Sequence, residues 1–218
     1  MLRLIEDGST ERLIEIREAI NFVNLSIPAA PIRTPKYIDN IKGQVFVQLY
    51  GVIEYTISEL VKFTLDFINN CHLKLSEIQF SIWSLALSSE LDALILSSTK
   101  KWDKRNILTN KLKLNSVCEI SNILVPTNGK NYDFYQFTSV WKTFSISQPI
   151  FHDPSFRGRL SEIIVYRNKI AHGEYLPSSV GSRFTIIELQ HRRDEVSRFC
   201  SYLISVFDDY LINKKFKI

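Results

Sequence analysis

The sequence predicts an all-α protein: a single helical bundle domain with long central helices and irregular connecting loops. Three observations carry this. Apolar residues recur three or four apart over most long stretches, the period of an amphipathic helix. Nothing supplies enough alternating, β-branched runs for a sheet. No internal repeat, low-complexity tract or long linker divides the 218 residues, and a chain of this length with 45% apolar residues buries one generous core. The domain is expected to span 1–218, with an N-terminal helix and proline-containing linker over 1–37 and a helical core over 38–213.

The elements follow in order. Leu13, Ile16, Ile20 and Val23, with Glu and Arg between them, predict a helix from Ser9 to about Leu25. Pro28, Pro31 and Pro35 in SIPAAPIRTP cannot continue it and favour extended backbone before them. From Asp39 to Asn70 the run is apolar on most sides, as expected for a central helix packed by several neighbours. Ser76 with Gln79 three later resembles a capping box opening a helix to about Ser97. A shorter helix is expected over 104–122. Pro126 and the pair Asn128-Gly129 mark a loop or short hairpin.

Helical spacing resumes over 133–144, and again over 154–172, where Leu160, Ile163, Ile164, Tyr166 and Ile170 precede Gly173, a natural stop. SRFTII reads as a short extended piece. Leu189, Val196, Phe199, Cys200, Leu203, Phe207, Tyr210 and Leu211 trace the last long helix.

Composition excludes several classes. With 7 Gly, 7 Pro and 12% aromatics the chain is neither disordered nor collagen-like. Cys71, Cys118 and Cys200 are odd in number and in no CxxC spacing, so neither a disulfide framework nor a zinc site is suggested, and the reducing cytoplasm fits best. The N-terminus lacks an apolar signal region and no stretch reaches about 18 uncharged apolar residues, so no secretion and no membrane association are expected. The net charge of +4 permits a nucleic-acid partner. Residues 100–113, KKWDKRNILTNKLK, hold six basic side chains against one Asp, and the tail NKKFKI adds three lysines; both can bind phosphate, although such runs more often form solvated faces.

The stretch YRNKIAHGEY, residues 166–175, sets Arg167, Asn168 and His172 at a helix end. On a regular helix Arg167 and His172 are five apart and point about 140° away from each other, while Asn168 and His172 share a face. The helix must fray at Ala171-His172-Gly173, or a second chain must supply the complementary half across a twofold axis. A neutral histidine can accept a proton from a ribose 2′-hydroxyl, and a second can protonate the leaving 5′-oxygen. An arginine can hold the phosphate and stabilise the charge growing on its oxygens, and Asn168 can orient either. No Asp/Glu/His metal cluster is evident, so no metal and no other cofactor is expected.

RNKIAHGE resembles the Arg-polar-x(3–5)-His motif of the HEPN superfamily, and in its RN-x-x-AHG wording is similar to the stand-alone MAE-type HEPN-like nucleases, relatives of the RiboL-PSP-HEPN group. GQVFVQLYGVIEYTISELV is similar to the early helix of that branch, and FHDPSFRGRLSEIIVYRNKIAHGEY to its motif helix; the resemblance covers roughly residues 40–212. It implies a helical bundle, a homodimer through the motif helices and metal-independent endoribonuclease activity on RNA in a toxin-antitoxin or phage-defence system, with an antitoxin or defence partner protein. Arg167, Asn168 and His172 are the catalytic residues it implies. A non-catalytic module that dimerises and binds RNA or nucleotide is the alternative. Tyr175 lies three after His172, where related two-gene toxins carry a modified tyrosine two after, so that regulation is not carried over.

Other polar clusters have simpler readings. His152-Asp153 precedes Pro154 and reads as a helix start. His191-Arg192-Arg193 is expected on a solvated face of the last helix, Cys71-His72 ends a helix without a matching ligand pair, Glu174 and Tyr175 form a surface loop, and Trp83 and Trp141 are expected in the core.

Overall fold

The computed structural model describes all residues except 30, 97–98, 122–125 and 127–130. The described residues are all-α, with no strand: α1 (Arg3–Ser26), α2 (Lys36–Asn70), α3 (Trp83–Ala86), α4 (Ser88–Leu96), α5 (Lys101–Leu114), α6 (Phe134–Thr143), α7 (Phe156–Ala171), α8 (Pro177–Gly181) and α9 (Ile186–Ile212). The expected turn at Asn128-Gly129 and the expected helix end at Ser97 lie outside the described residues. The chain forms two compact units, neither of them one continuous segment.

The first unit comprises Met1–Glu59, Asn131–Phe134 and Phe151–Ser205. The apolar period of α1 buries Ile16, Ile20 and Val23, and α2 buries Phe46, Leu49, Tyr50, Ile53 and Ile57. Burial of each such side chain contributes about 1.5–3 kcal/mol. Leu160 and Ile163 of α7 and Val196 and Phe199 of α9 complete this core. Two buried hydroxyls, Ser9 and Thr56, join α1 to α2 at 2.8 Å while each also donates to, or shares, a carbonyl in its own helix. Helix α1 opens at Arg3, six residues before the expected start. Thr185 and Glu188 form a reciprocal capping box that opens α9, so SRFTII makes a turn and a helix start instead of an extended piece.

The second unit comprises Leu60–Lys130, Tyr135–Ile150 and Val206–Ile218. Leu60, Val61, Leu65 and Ile68 are buried with Phe137, Val140, Phe207, Tyr210 and Phe216. Here several expectations are corrected. The helix expected from Ser76 to Ser97 is broken: Leu75–Glu77 and Phe80–Ile82 are 3₁₀ turns, followed by the short α3 and α4. The backbone is spent elsewhere, because Gln79 N–H donates to the Phe216 carbonyl and Ile78 bridges to Lys217, and tertiary pairing overrides the helical period. The cap is also displaced: Lys74 N–H donates to Glu77 at 2.7 Å, whereas Ser76 N–H goes to Asn115.

The helix expected over 104–122 runs over Lys101–Leu114 instead. Asn115, at φ 47° and ψ 48°, takes the left-handed conformation that ends helices, and its side chain is held by Ser76. Trp141 is buried, as expected, but Trp83 is only half-buried, its indole N–H donating to the Leu75 carbonyl at 2.9 Å.

Candidate functional site

Helix α7 carries the motif, and its seat explains why the helix forms. Asp153 accepts the Ser155 N–H at 2.8 Å, which turns the chain just before Phe156 and agrees with the helix-start reading of His152-Asp153. The Arg192 guanidinium, 7% exposed, reaches Glu162 at 2.9 Å. Arg159 pairs with both Glu162 and Glu195, so two ion pairs tie α7 to α9. Burial opposes the charged form of Glu162, but hydrogen bonds from Arg192 and Arg159 outweigh it and hold the carboxyl below its ordinary range.

Two turns further along α7, Arg167 and Asn168 meet a third residue, Asn131, from the segment before α6. Arg167 Nη1 donates to Asn168 Oδ1 at 2.9 Å and to Asn131 Oδ1 at 3.1 Å, and Asn131 Nδ2 donates to the same Asn168 oxygen at 3.0 Å. The guanidinium also lies 4.8 Å over the Tyr50 ring, a cation–π contact. Tyr50 accepts the buried Tyr132 N–H at 3.0 Å, which anchors the Asn131 segment against α2. Among the described residues Arg167 makes no ion pair with a carboxylate. It is therefore a preoriented cation whose charge is available to an outside anion.

His172 is the C-cap of α7, at φ −87° and ψ 1°, and Gly173 at φ 73° takes the left-handed position that follows. Gly173 N–H closes on the Ile170 carbonyl and Tyr175 N–H on Lys169, a glycine-dependent stop. The helix does end where expected, and His172 N–H still reaches the Asn168 carbonyl at 2.9 Å. The imidazole is exposed and has no hydrogen-bond partner among the described residues. Beside it, Lys169 Nζ donates to the Tyr175 hydroxyl at 3.2 Å and Arg183 lies 5.1 Å from that ring. The Lys169 hydrogen bond and charge, with Arg183 behind them, hold the Tyr175 phenol below its ordinary range.

The structure thus brings Arg167 and Asn168 into one cluster and leaves His172 exposed one turn on. Asn131 and Tyr50 were not singled out by the sequence. Their types are unremarkable there, and their distance from the motif in the chain hides the contact. His191-Arg192-Arg193 is not a uniform solvated face: Arg192 is buried in its pair with Glu162, Arg193 pairs with Asp194, and only His191 is exposed. Among the described residues no group of three or more His, Cys, Asp or Glu side chains could hold a metal ion. No described helix is long and apolar enough to cross a membrane.

A family model described as MAE_28990-like HEPN matches residues 1–216. The match takes in α1 and the proline segment, which the resemblance read from residues 40–212 had left out. No curated protein and no solved structure matches the chain.

Proposed function

The chain belongs to the MAE_28990-like HEPN family, and on that premise we propose that it is a metal-independent endoribonuclease that works as a homodimer. The observation that carries this reading is the Arg167 guanidinium, held by Asn131 and Asn168 and, among the described residues, by no carboxylate, one turn before an exposed histidine on the same helix. In the proposed reaction Arg167 binds the non-bridging oxygens of a phosphodiester. His172 takes the proton of the 2′-hydroxyl as its oxygen attacks phosphorus, and the P–O5′ bond breaks. His172 of the partner subunit gives the departing 5′-oxygen its proton. The products are a 2′,3′-cyclic phosphate and a 5′-hydroxyl.

A dimer answers the directional problem on α7. Arg167 and His172 diverge by about 140° around one helix, so one copy does not face both groups toward one phosphate, whereas two α7 helices across a twofold axis can. Val165, 48% exposed on α7, gives such a pair apolar surface. The setting that goes with this activity is a toxin-antitoxin or phage-defence type system in the cytoplasm, where the free thiols of Cys71, Cys118 and Cys200 stay reduced and an antitoxin or defence protein restrains the enzyme.

The test is cleavage of RNA by purified protein with EDTA present. Cleavage leaving cyclic phosphate ends, lost in His172→Ala with helical circular dichroism intact, is expected; a requirement for added divalent metal, or full activity in that variant, would overturn the reading. Expression of the wild type should arrest growth and that of Arg167→Ala should not. RNA binding without turnover would mark the chain as a non-catalytic module.

A further inference from the structure

Helices α4 and α5 belong to the second unit and bury no residue fully. Lys111 and Glu90 link them at 2.6 Å, which leaves the opposite side of α5 uncovered. Trp102, Arg105, Asn106, Thr109 and Lys113 recur there at helical spacing and all are exposed. Trp102 is 72% exposed, and Arg105 lies 4.7 Å over its ring. Arg105, Lys113 and the neighbouring Lys101 make no ion pair among the described residues. Asp103 is the single acidic residue of α5.

An ordinary solvated face interleaves acids with its bases and does not present an indole to water. This stripe combines unneutralised cations, an aromatic ring and short polar side chains, which are the components of a surface for single-stranded nucleic acid. Arg105 and Lys113 stand about 12 Å apart along the axis, far enough to meet different phosphates of one strand while a base stacks on Trp102. We propose that the outward stripe of α5 is a docking surface for single-stranded RNA, made of residues other than Arg167, Asn168 and His172. The proposal shares with the ribonuclease reading only the identity of the ligand.

Binding of a fluorescent single-stranded RNA to full-length His172→Ala protein, which keeps the RNA whole, tests it. Adding Trp102→Ala should weaken binding by about 5- to 150-fold. Adding Arg105→Glu with Lys113→Glu should flatten the dependence of log affinity on log salt by about 1.4, the share of two phosphate contacts. Unchanged affinity and unchanged salt dependence would overturn the proposal. So would binding of phosphatidylserine vesicles through Trp102 in place of RNA, or a Trp102-dependent self-association that RNA does not compete with. The two readings fail separately. Trp102-dependent binding by a wild type that never cleaves sinks the ribonuclease alone, and His172-dependent cleavage with Trp102-independent binding sinks the docking surface alone.

Discussion

Asn131 and Asn168 are 37 residues apart in the chain, and their side-chain amides meet at 3.0 Å. The shared atom is Asn168 Oδ1, which also accepts from Arg167. The amide N–H₂ of Asn168 has no hydrogen-bond partner among the described residues. Asn168 and Asn131 together brace the arginine, each offering it an amide oxygen.

Asn131→Ala removes an acceptor from Arg167 and a donor to Asn168 together. The loss of hydrogen bonds at a half-exposed site costs about 1 kcal/mol of stability, so the protein stays folded. A misplaced arginine costs the proposed cleavage far more, about tenfold to a hundredfold. Cleavage rate alongside thermal unfolding separates the two effects. An Asn131→Ala protein cleaving at the wild-type rate would show that the cluster does not position the arginine.

Tyr50 and Tyr175 titrate on opposite sides of the ordinary tyrosine value. Burial drives Tyr50 up to about 12, with Arg167 opposing it, while the Lys169 hydrogen bond lowers Tyr175. In a titration followed by phenolate absorbance, the earliest component should vanish in Tyr175→Phe and a late one in Tyr50→Phe. The stability consequence has a definite sign for Tyr50. Its folded value lies above the unfolded value near 10, so its contribution is complete below about pH 10 and is lost as pH rises toward 12. Tyr50→Phe should flatten that alkaline decline. It should also destabilise the protein by about 1–3 kcal/mol at neutral pH, because the buried Tyr132 N–H loses the hydrogen bond it gives to the Tyr50 hydroxyl.

Fold class and motif were legible in the sequence because both are written in local spacing. The helical period of α2, α7 and α9 and the stop at Gly173 need only near neighbours to be read. What escaped is non-local. The backbone of residues 74–79 pairs with segments around 117 and 217, a demand no window over Ser76–Ser97 contains. Asn131 looks like any loop asparagine until the fold sets it against Arg167. His191-Arg192-Arg193 misled for the same reason, since the acid that buries Arg192 lies 30 residues away.

Glu162→Gln removes the opposite charge and one of two acceptor oxygens from the buried Arg192 guanidinium, leaving it an amide oxygen and the Glu188 carbonyl. The expected cost is about 2–4 kcal/mol, a little under that of breaking a fully buried pair. Glu162 is held below its ordinary value of 4.5, so its contribution is complete above pH 4.5 and fades as pH falls through the folded value. The variant should be less stable than wild type at pH 7 and should converge with it in acid. Adding Arg192→Met, which removes the orphaned charge, should recover much of the loss in urea unfolding at neutral pH.

Three glycines separate close packing from helix propensity. A Cβ on Gly43 would strike the Pro177 backbone, and one on Gly181 would strike the Asp39 carbonyl, whereas one on Gly51 would meet nothing within 4 Å. Helices α2 and α8 therefore touch backbone to backbone, and α8 closes the turn that begins at His172. Gly51→Ala should stabilise the protein by about 0.5–1 kcal/mol through helix propensity alone. Gly43→Ala and Gly181→Ala should each destabilise it by about 1–3 kcal/mol. By pushing α8 off α2, Gly181→Ala should also slow RNA cleavage although it touches no reacting group. Thermal unfolding of the three variants checks the order, and a Gly181→Ala protein as stable as Gly51→Ala would contradict the close approach.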